Sequence, residues 1–161
     1  MLSANTARVE VPSLPPAGDA PIAVESRFGT IVISSAARLT FPHGLLGFSD
    51  YRSFGIAPLP DGKHPQFRVL QCLDERDLAF LVAPFNLESG AIADEDISEA
   101  CDTLAIPRAD LLVLLIVTVR RDGASAQVST NLRAPVFVDC RRGVARQYVM
   151  PNARYAIRHP L

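Results

Sequence analysis

Three cysteines (Cys72, Cys101, Cys140) and three histidines (His43, His64, His159) are the side chains that could serve as nucleophile, general base or soft metal ligand. Their spacing frames none of these roles. No two cysteines stand at CxxC spacing and their number is odd, which speaks for a reducing compartment and against a disulfide framework or a zinc site. The histidines fall in a Gly/Pro loop, a turn and the C-terminal stretch, without metal-ligand spacing. Cys140 with His159 is the one conceivable nucleophile and base, since such partners meet in space rather than in sequence. A thiol acting as a small buried hydrophobe is the competing reading. The phosphate-binding glycine loop and the HExxH and GxSxG motifs are absent, so neither catalysis nor a bound cofactor is expected.

Charge offers more than the nucleophiles do. Acidic side chains gather in two places: Asp74, Glu75 and Asp77 between two apolar runs, and Asp94, Glu95 and Asp96 ahead of an amphipathic stretch. On a solvated turn, Asp74 and Asp77 lack the burial that general acid and base work requires. A solvated loop is the better reading of the first group, and a helix's first turn, favourable for the macrodipole, that of the second. Arg120, Arg121, Arg133, Arg141, Arg142 and Arg146 could neutralise phosphates, but only Phe137 and Tyr148 are interleaved with them for base stacking. With a formal net charge of -1, direct nucleic-acid binding is not expected. Residues 1–107 hold 7 Lys/Arg against 14 Asp/Glu, and residues 108–161 hold 9 Arg against 3 Asp. This asymmetry predicts an acidic and a basic face or, if the two segments interleave in one sheet, charges that pair.

The element that must position these groups is the apolar run at residues 111–119, in which Thr118 is the only polar member. It shows no alternation, so both of its faces must be covered. Its length, its Val and Ile content, Pro107 upstream and Arg120-Arg121-Asp122-Gly123 downstream favour a central strand over a buried helix. A membrane span would need roughly 20 apolar residues, so no membrane contact is expected. Residues 1–24, with Pro12, Pro15, Pro16 and Pro21, read as a disordered proline-rich tail. They lack the basic and apolar regions of a signal peptide, which predicts a cytoplasmic protein, and residues 25–161 read as one domain.

Within that domain a first strand is predicted around Ile31 and Ile33, broken by Gly29. Others follow at residues 54–59, 67–73, 78–82, 126–130, 134–138 and 143–150. Pro135 sets the 134–138 strand at an edge or at its own start. Residues 74–77 form the acidic tip of a hairpin. A helix starts at Asp94, with Ile97, Cys101 and Leu104 as its apolar stripe, and ends before Pro107. Residues 39–48 are too rich in Gly and Pro for a regular element and too apolar for a solvated loop, which predicts an ordered, partly buried loop. Ser49 then caps a short helical turn running toward Phe54. The class is mostly β, with one short amphipathic helix and a C-terminal stretch that docks.

Several stretches together resemble one family. Phe28-Gly29, Phe41-Pro42-x-Gly44-Leu45-Leu46-Gly47-Phe48, Leu70-Gln71-Cys72-Leu73-Asp74 with Leu78-Ala79-Phe80, Asn131-Leu132-Arg133-Ala134-Pro135, and Tyr155-x-Ile157-Arg158-His159-Pro160-Leu161 are similar, in order and spacing, to the FliW family of flagellar assembly factors. The resemblance implies a small antiparallel β-barrel-like domain without catalysis or cofactor, which acts by binding partners. Those partners are the translational regulator CsrA, bound away from its RNA surface so that flagellin mRNA is released from repression, and flagellin itself. The free protein is expected to be a monomer. The acids Asp74, Glu75, Asp77, Asp94, Glu95 and Asp96 are the expected electrostatic contacts, and Phe41, Leu45 and Phe48 the expected apolar ones. The arginine-rich C-terminal part and the proline-rich extension depart from the family pattern. The alternatives from other classes are a flavin-binding split-barrel enzyme that uses the arginines for phosphate, and a direct RNA-binding module.

Overall fold

The structure, a computed structural model, describes residues 20–161. Most of the tail expected over residues 1–24 therefore lies outside the described residues. The boundary placed at residue 25 falls inside a strand, because β1 (Ile22–Ser26) opens the described chain. It pairs antiparallel with β2 (Gly29–Ile33), so the single strand expected here is a hairpin, with Arg27 and Phe28 forming its turn. After β3 (Arg38–Thr40) the 41–48 loop leads to β4 (Ser53–Pro58). No helix forms at Ser49. Phe48 N–H donates to Leu45 O and Tyr51 N–H to Phe48 O, two separate turns rather than the consecutive bonds that would propagate a helix.

The hairpin of β5 (Arg68–Cys72) and β6 (Ala79–Pro84) carries the acidic tip as expected. Next come α1 (Asp94–Leu104), β7 (Leu111–Asp122) and β8 (Ser125–Thr130). The last strands are β9 (Val136–Asp139), β10 (Val144–Gln147) and β11 (His159–Pro160). β9 begins just after Pro135 and is paired on both sides, so the proline stands outside the ladder at the start of an interior strand. The strand expected over residues 143–150 is shorter, since beyond Gln147 the chain bonds singly to Pro135 O and Arg133 O.

The strand order is β11-β8-β7-β6-β5-β4-β3-β10-β9, and a further pairing of β7 with β9 closes β3, β4, β5, β6, β7, β9 and β10 into a ring-like sheet. Every pairing is antiparallel except the single parallel contact of β10 with β3. β7 serves both ends. Its first residues, Leu111 to Leu114, pair with β9, and its last, Val117 to Asp122, pair with β8, so one long strand closes the ring and carries the outlying β8–β11 flap.

Coverage of both faces of β7 explains its lack of alternation. Leu112, Leu114 and Ile116 point into the ring, where they pack with Leu39, Phe41, Phe54, Leu70, Cys72, Val82, Val136 and Val138. Leu111, Val113 and Leu115 point outward beneath α1, against Ile97, Ala100, Cys101, Leu132, Phe137, Met150 and Tyr155. Of the predicted helix stripe, Ile97 and Cys101 are buried and Leu104 is half-buried. Each fully buried Leu or Val in these layers contributes about 1.5–3 kcal/mol.

A third cluster sits where the β1–β2 hairpin lies over the ring, with Ile31 and Ile33 packed on Ala57, Val69 and Ala79. Gly55 makes this approach possible. A Cβ at that position would stand 2.4 Å from Ile33 Cγ2 and 2.6 Å from its Cδ1, and the Ile33 side chain is itself fully buried. Gly55→Ala is therefore expected to destabilise the fold by about 1–3 kcal/mol through overpacking. Urea unfolding of the variant measures it, and an unchanged midpoint would mean that the hairpin does not seat as described.

Candidate partner-binding surface

The loop over residues 41–48 divides its apolar side chains between core and solvent. Phe41 and Leu45 are 0% and 2% exposed and belong to the ring interior, so the expectation that they touch a partner is corrected: they hold the loop down. The apolar side chains available outside are Leu46, 60% exposed, and Phe48, 36% exposed. Gly44 sets this division. It adopts φ +64 where a Cβ would meet Phe48 O and Ser49 Cα at 2.6 Å, and this backbone conformation breaks the simple alternation a strand would have had. Leu46 N–H donates to Gln147 Oε1 at 2.9 Å, and Gln147 Nε2 donates to Ala134 O at 3.0 Å, tying the loop to the end of β10.

The acidic tip lies on the same rim. Leu73 N–H donates to Ser53 O at 2.8 Å, and the Phe48 ring meets Phe80, on the strand leaving the tip, edge-on at 5.3 Å. Asp74 and Asp77 are exposed and Glu75 is half-buried, its carboxylate accepting from Asp77 N–H at 3.2 Å. Arg76 stands among them, also exposed. The rim thus presents acidic groups, the cations Arg52 and Arg76 and two apolar side chains on an ordered frame.

The second acidic group has a different place, in the outer layer. Asp94 pairs with Arg108 at 2.7 Å, and Asp96 pairs with Arg154 at 3.2 Å and accepts a hydrogen bond from the Tyr155 hydroxyl. That hydroxyl also accepts from Ala93 N–H at 3.0 Å, which satisfies one of the free donors at the start of α1. Asp96 therefore anchors the C-terminal stretch to the helix. These two ion pairs join the acidic and basic segments of the chain, as interleaving predicts. Glu95 alone of the three is exposed with no ion pair among the described residues.

The arginines do not converge. Arg120 and Arg121 lie at the far end of β7, whereas Arg141 and Arg142 sit in the turn after β9, whose Asp139 pairs with Leu111 at the near end. Nine residues of strand separate these ends, roughly 30 Å. The same geometry parts Cys140 from His159. Cys140 N–H donates to Asp110 O before the start of β7, while His159 pairs with Thr130 opposite Val117, roughly 20 Å along the strand. Cys140 is exposed, but partial desolvation, with Asp139 and Asp110 adding to the effect, pushes its thiol up, which disfavours the thiolate a nucleophile requires. Among the described residues no group of His, Cys, Asp and Glu could hold a metal ion, and no helix is long and apolar enough to cross a membrane.

A model of the FliW protein family matches residues 23–161. The chain belongs to the FliW family. A flagellar assembly factor FliW of Desulfitobacterium hafniense is 35% identical over 140 residues, covering 84% of this chain and 88% of the relative. One from Geobacter sulfurreducens is 31% identical over 136 residues, covering 84% and 82%. A crystal structure of the flagellar assembly factor FliW superposes with a TM-score of 0.65 at 23% identity, over 87% of this chain and 95% of the other, which supports the ring-like fold. The FliW match begins inside β1 and runs past β11, so the rim, α1 and the β8–β11 flap are all parts of the FliW unit.

Sequence reasoning missed Leu46 and Gln71. Leu46 was indistinguishable from its buried neighbour Leu45. Gln71 did carry a signal, being the one polar residue in the apolar run of residues 69–73 just ahead of the tip.

Proposed function

We propose that this FliW-family chain is a flagellar assembly factor that acts by binding proteins and not by catalysis. It binds and antagonises the translational regulator CsrA, which relieves repression of flagellin mRNA translation, and it binds flagellin in a partner-switching circuit in the cytoplasm. The observation that carries this reading is the family match, which encloses every element of the ring and its rim and whose relatives are named flagellar assembly factors. The rim supports it. An acidic surface with exposed Leu46 and Phe48 suits a partner bearing basic side chains around an apolar one, and such complementarity acts mostly on association rate and specificity. The free protein is monomeric. Partner switching then requires only that flagellin and CsrA each lower the other's access to the chain, a reciprocal coupling of binding free energies.

A translation assay tests this. Flagellin mRNA repressed by purified CsrA is expected to regain translation in proportion to added protein, and to lose it again when flagellin is supplied. Repression that persists at every ratio of protein to CsrA would overturn the proposal.

A further inference from the structure

We propose that Gln71 is a positioning residue that builds the acidic rim into a preformed docking surface for a basic protein segment with an apolar anchor; the docking half rests on the functional reading above. Gln71 is 0% exposed in β5, between Leu70 and Cys72, where an apolar side chain would be the ordinary choice. Its Nε2 gathers four carbonyls of the tip: Cys72 O at 2.9 Å, Arg76 O at 3.0 Å, Leu78 O at 3.2 Å and Glu75 O at 3.5 Å. Two hydrogens shared among four acceptors form a hub around which the loop is wound. The loop base is closed by Cys72 N–H to Leu78 O at 2.9 Å and Leu78 N–H to Glu75 O at 3.1 Å.

The carbonyls of the tip turn inward onto one amide, and the side chains of Asp74, Arg76 and Asp77 are exposed outside. Among the described residues Gln71 Oε1 accepts from no protein group, so the residue is not there to complete a network in the strand. What it supplies is N–H donors to the loop. A tip held in this way meets a partner with little ordering left to do, which is where preorganisation strengthens binding. The apolar anchor falls beside it, because Phe48 packs on Phe80 and Leu73 is bonded to Ser53 on the same rim. The occupant this fits is a segment with basic side chains for Asp74, Glu75 and Asp77 and one apolar side chain for Leu46 and Phe48.

Gln71→Met, of similar length but without donors, separates this role from mere stability. Amide hydrogen exchange over residues 73–78 is expected to rise about tenfold or more while the rest of the ring keeps its protection. Affinity for purified CsrA is expected to fall about three- to tenfold. Neutralising the tip (Asp74→Asn, Glu75→Gln, Asp77→Asn) should then cost less affinity in the Gln71→Met background than in the wild type, a coupling that general destabilisation does not produce. Gln71→Asn, which keeps the amide but shortens its reach, repeats the test if the methionine variant fails to fold. Unchanged exchange in the tip of a folded variant overturns the latch. A wild-type protein that ignores CsrA overturns the docking half, while the exchange measurement still decides the latch.

Discussion

Phe54→Ala is expected to lower the free energy of unfolding by about 3–5 kcal/mol, the usual cost of emptying a phenylalanine site in a closed core. The site has little room to collapse. Phe54 is fully buried, its ring edge-on to Phe41 at 4.9 Å and tilted against Phe80 at 6.5 Å, and its backbone lies between Leu39 on one side and Cys72 on the other. The consequence extends beyond stability, because Phe80 also carries Phe48. Loss of Phe54 should therefore loosen the rim as well as the core. Leu46→Ala, at an exposed position of the same rim, is the control and should change stability by no more than about 0.5 kcal/mol. Urea unfolding of the two variants gives the comparison. A cost below about 1 kcal/mol for Phe54→Ala would be inconsistent with the interior packing described.

Reversing the tip, with Asp74→Lys, Glu75→Lys and Asp77→Lys together, is expected to weaken CsrA binding about tenfold or more, chiefly by slowing association. The defect should shrink as salt is raised, since contacts between exposed charges are screened within about 10 Å at 0.1 M. The fold should survive, because Asp74 and Asp77 are exposed and no tip acid forms an ion pair among the described residues. Stopped-flow association at two salt concentrations reads both effects. A folded reversal variant that associates as fast as the wild type would remove the tip from the contact surface. Asp96 makes a poorer probe, because its ties to Arg154 and Tyr155 would turn any substitution into a change of fold stability.

Local chemistry is what a sequence shows best, and β7 and α1 illustrate it. A run without alternation had to be covered twice, and from Leu111 to Ile116 it is covered by the ring interior and by the helix, whereas Thr118 and Val119 at its end are exposed. The closure of the ring was not legible in the same way. It depends on Leu114 pairing with Val136 and Thr40 with Val144, contacts between residues far apart in sequence that leave no periodic mark. The rim was half legible. Phe41, Leu45, Leu46 and Phe48 look alike as residue types, and only the left-handed turn at Gly44 and the course of the loop after it send two inward and two outward. The two acidic groups were equally alike in the sequence, yet Asp94 and Asp96 pair with Arg108 just beyond the helix and with Arg154 from the C-terminal stretch, while Asp74 and Asp77 of the tip face solvent.

Calorimetric titration of the full chain with purified CsrA, followed by addition of flagellin, bears most directly on the proposed role. One saturable complex with CsrA, dissociated as flagellin is added, is the expected result. Absence of binding to both proteins by a correctly folded chain would contradict it.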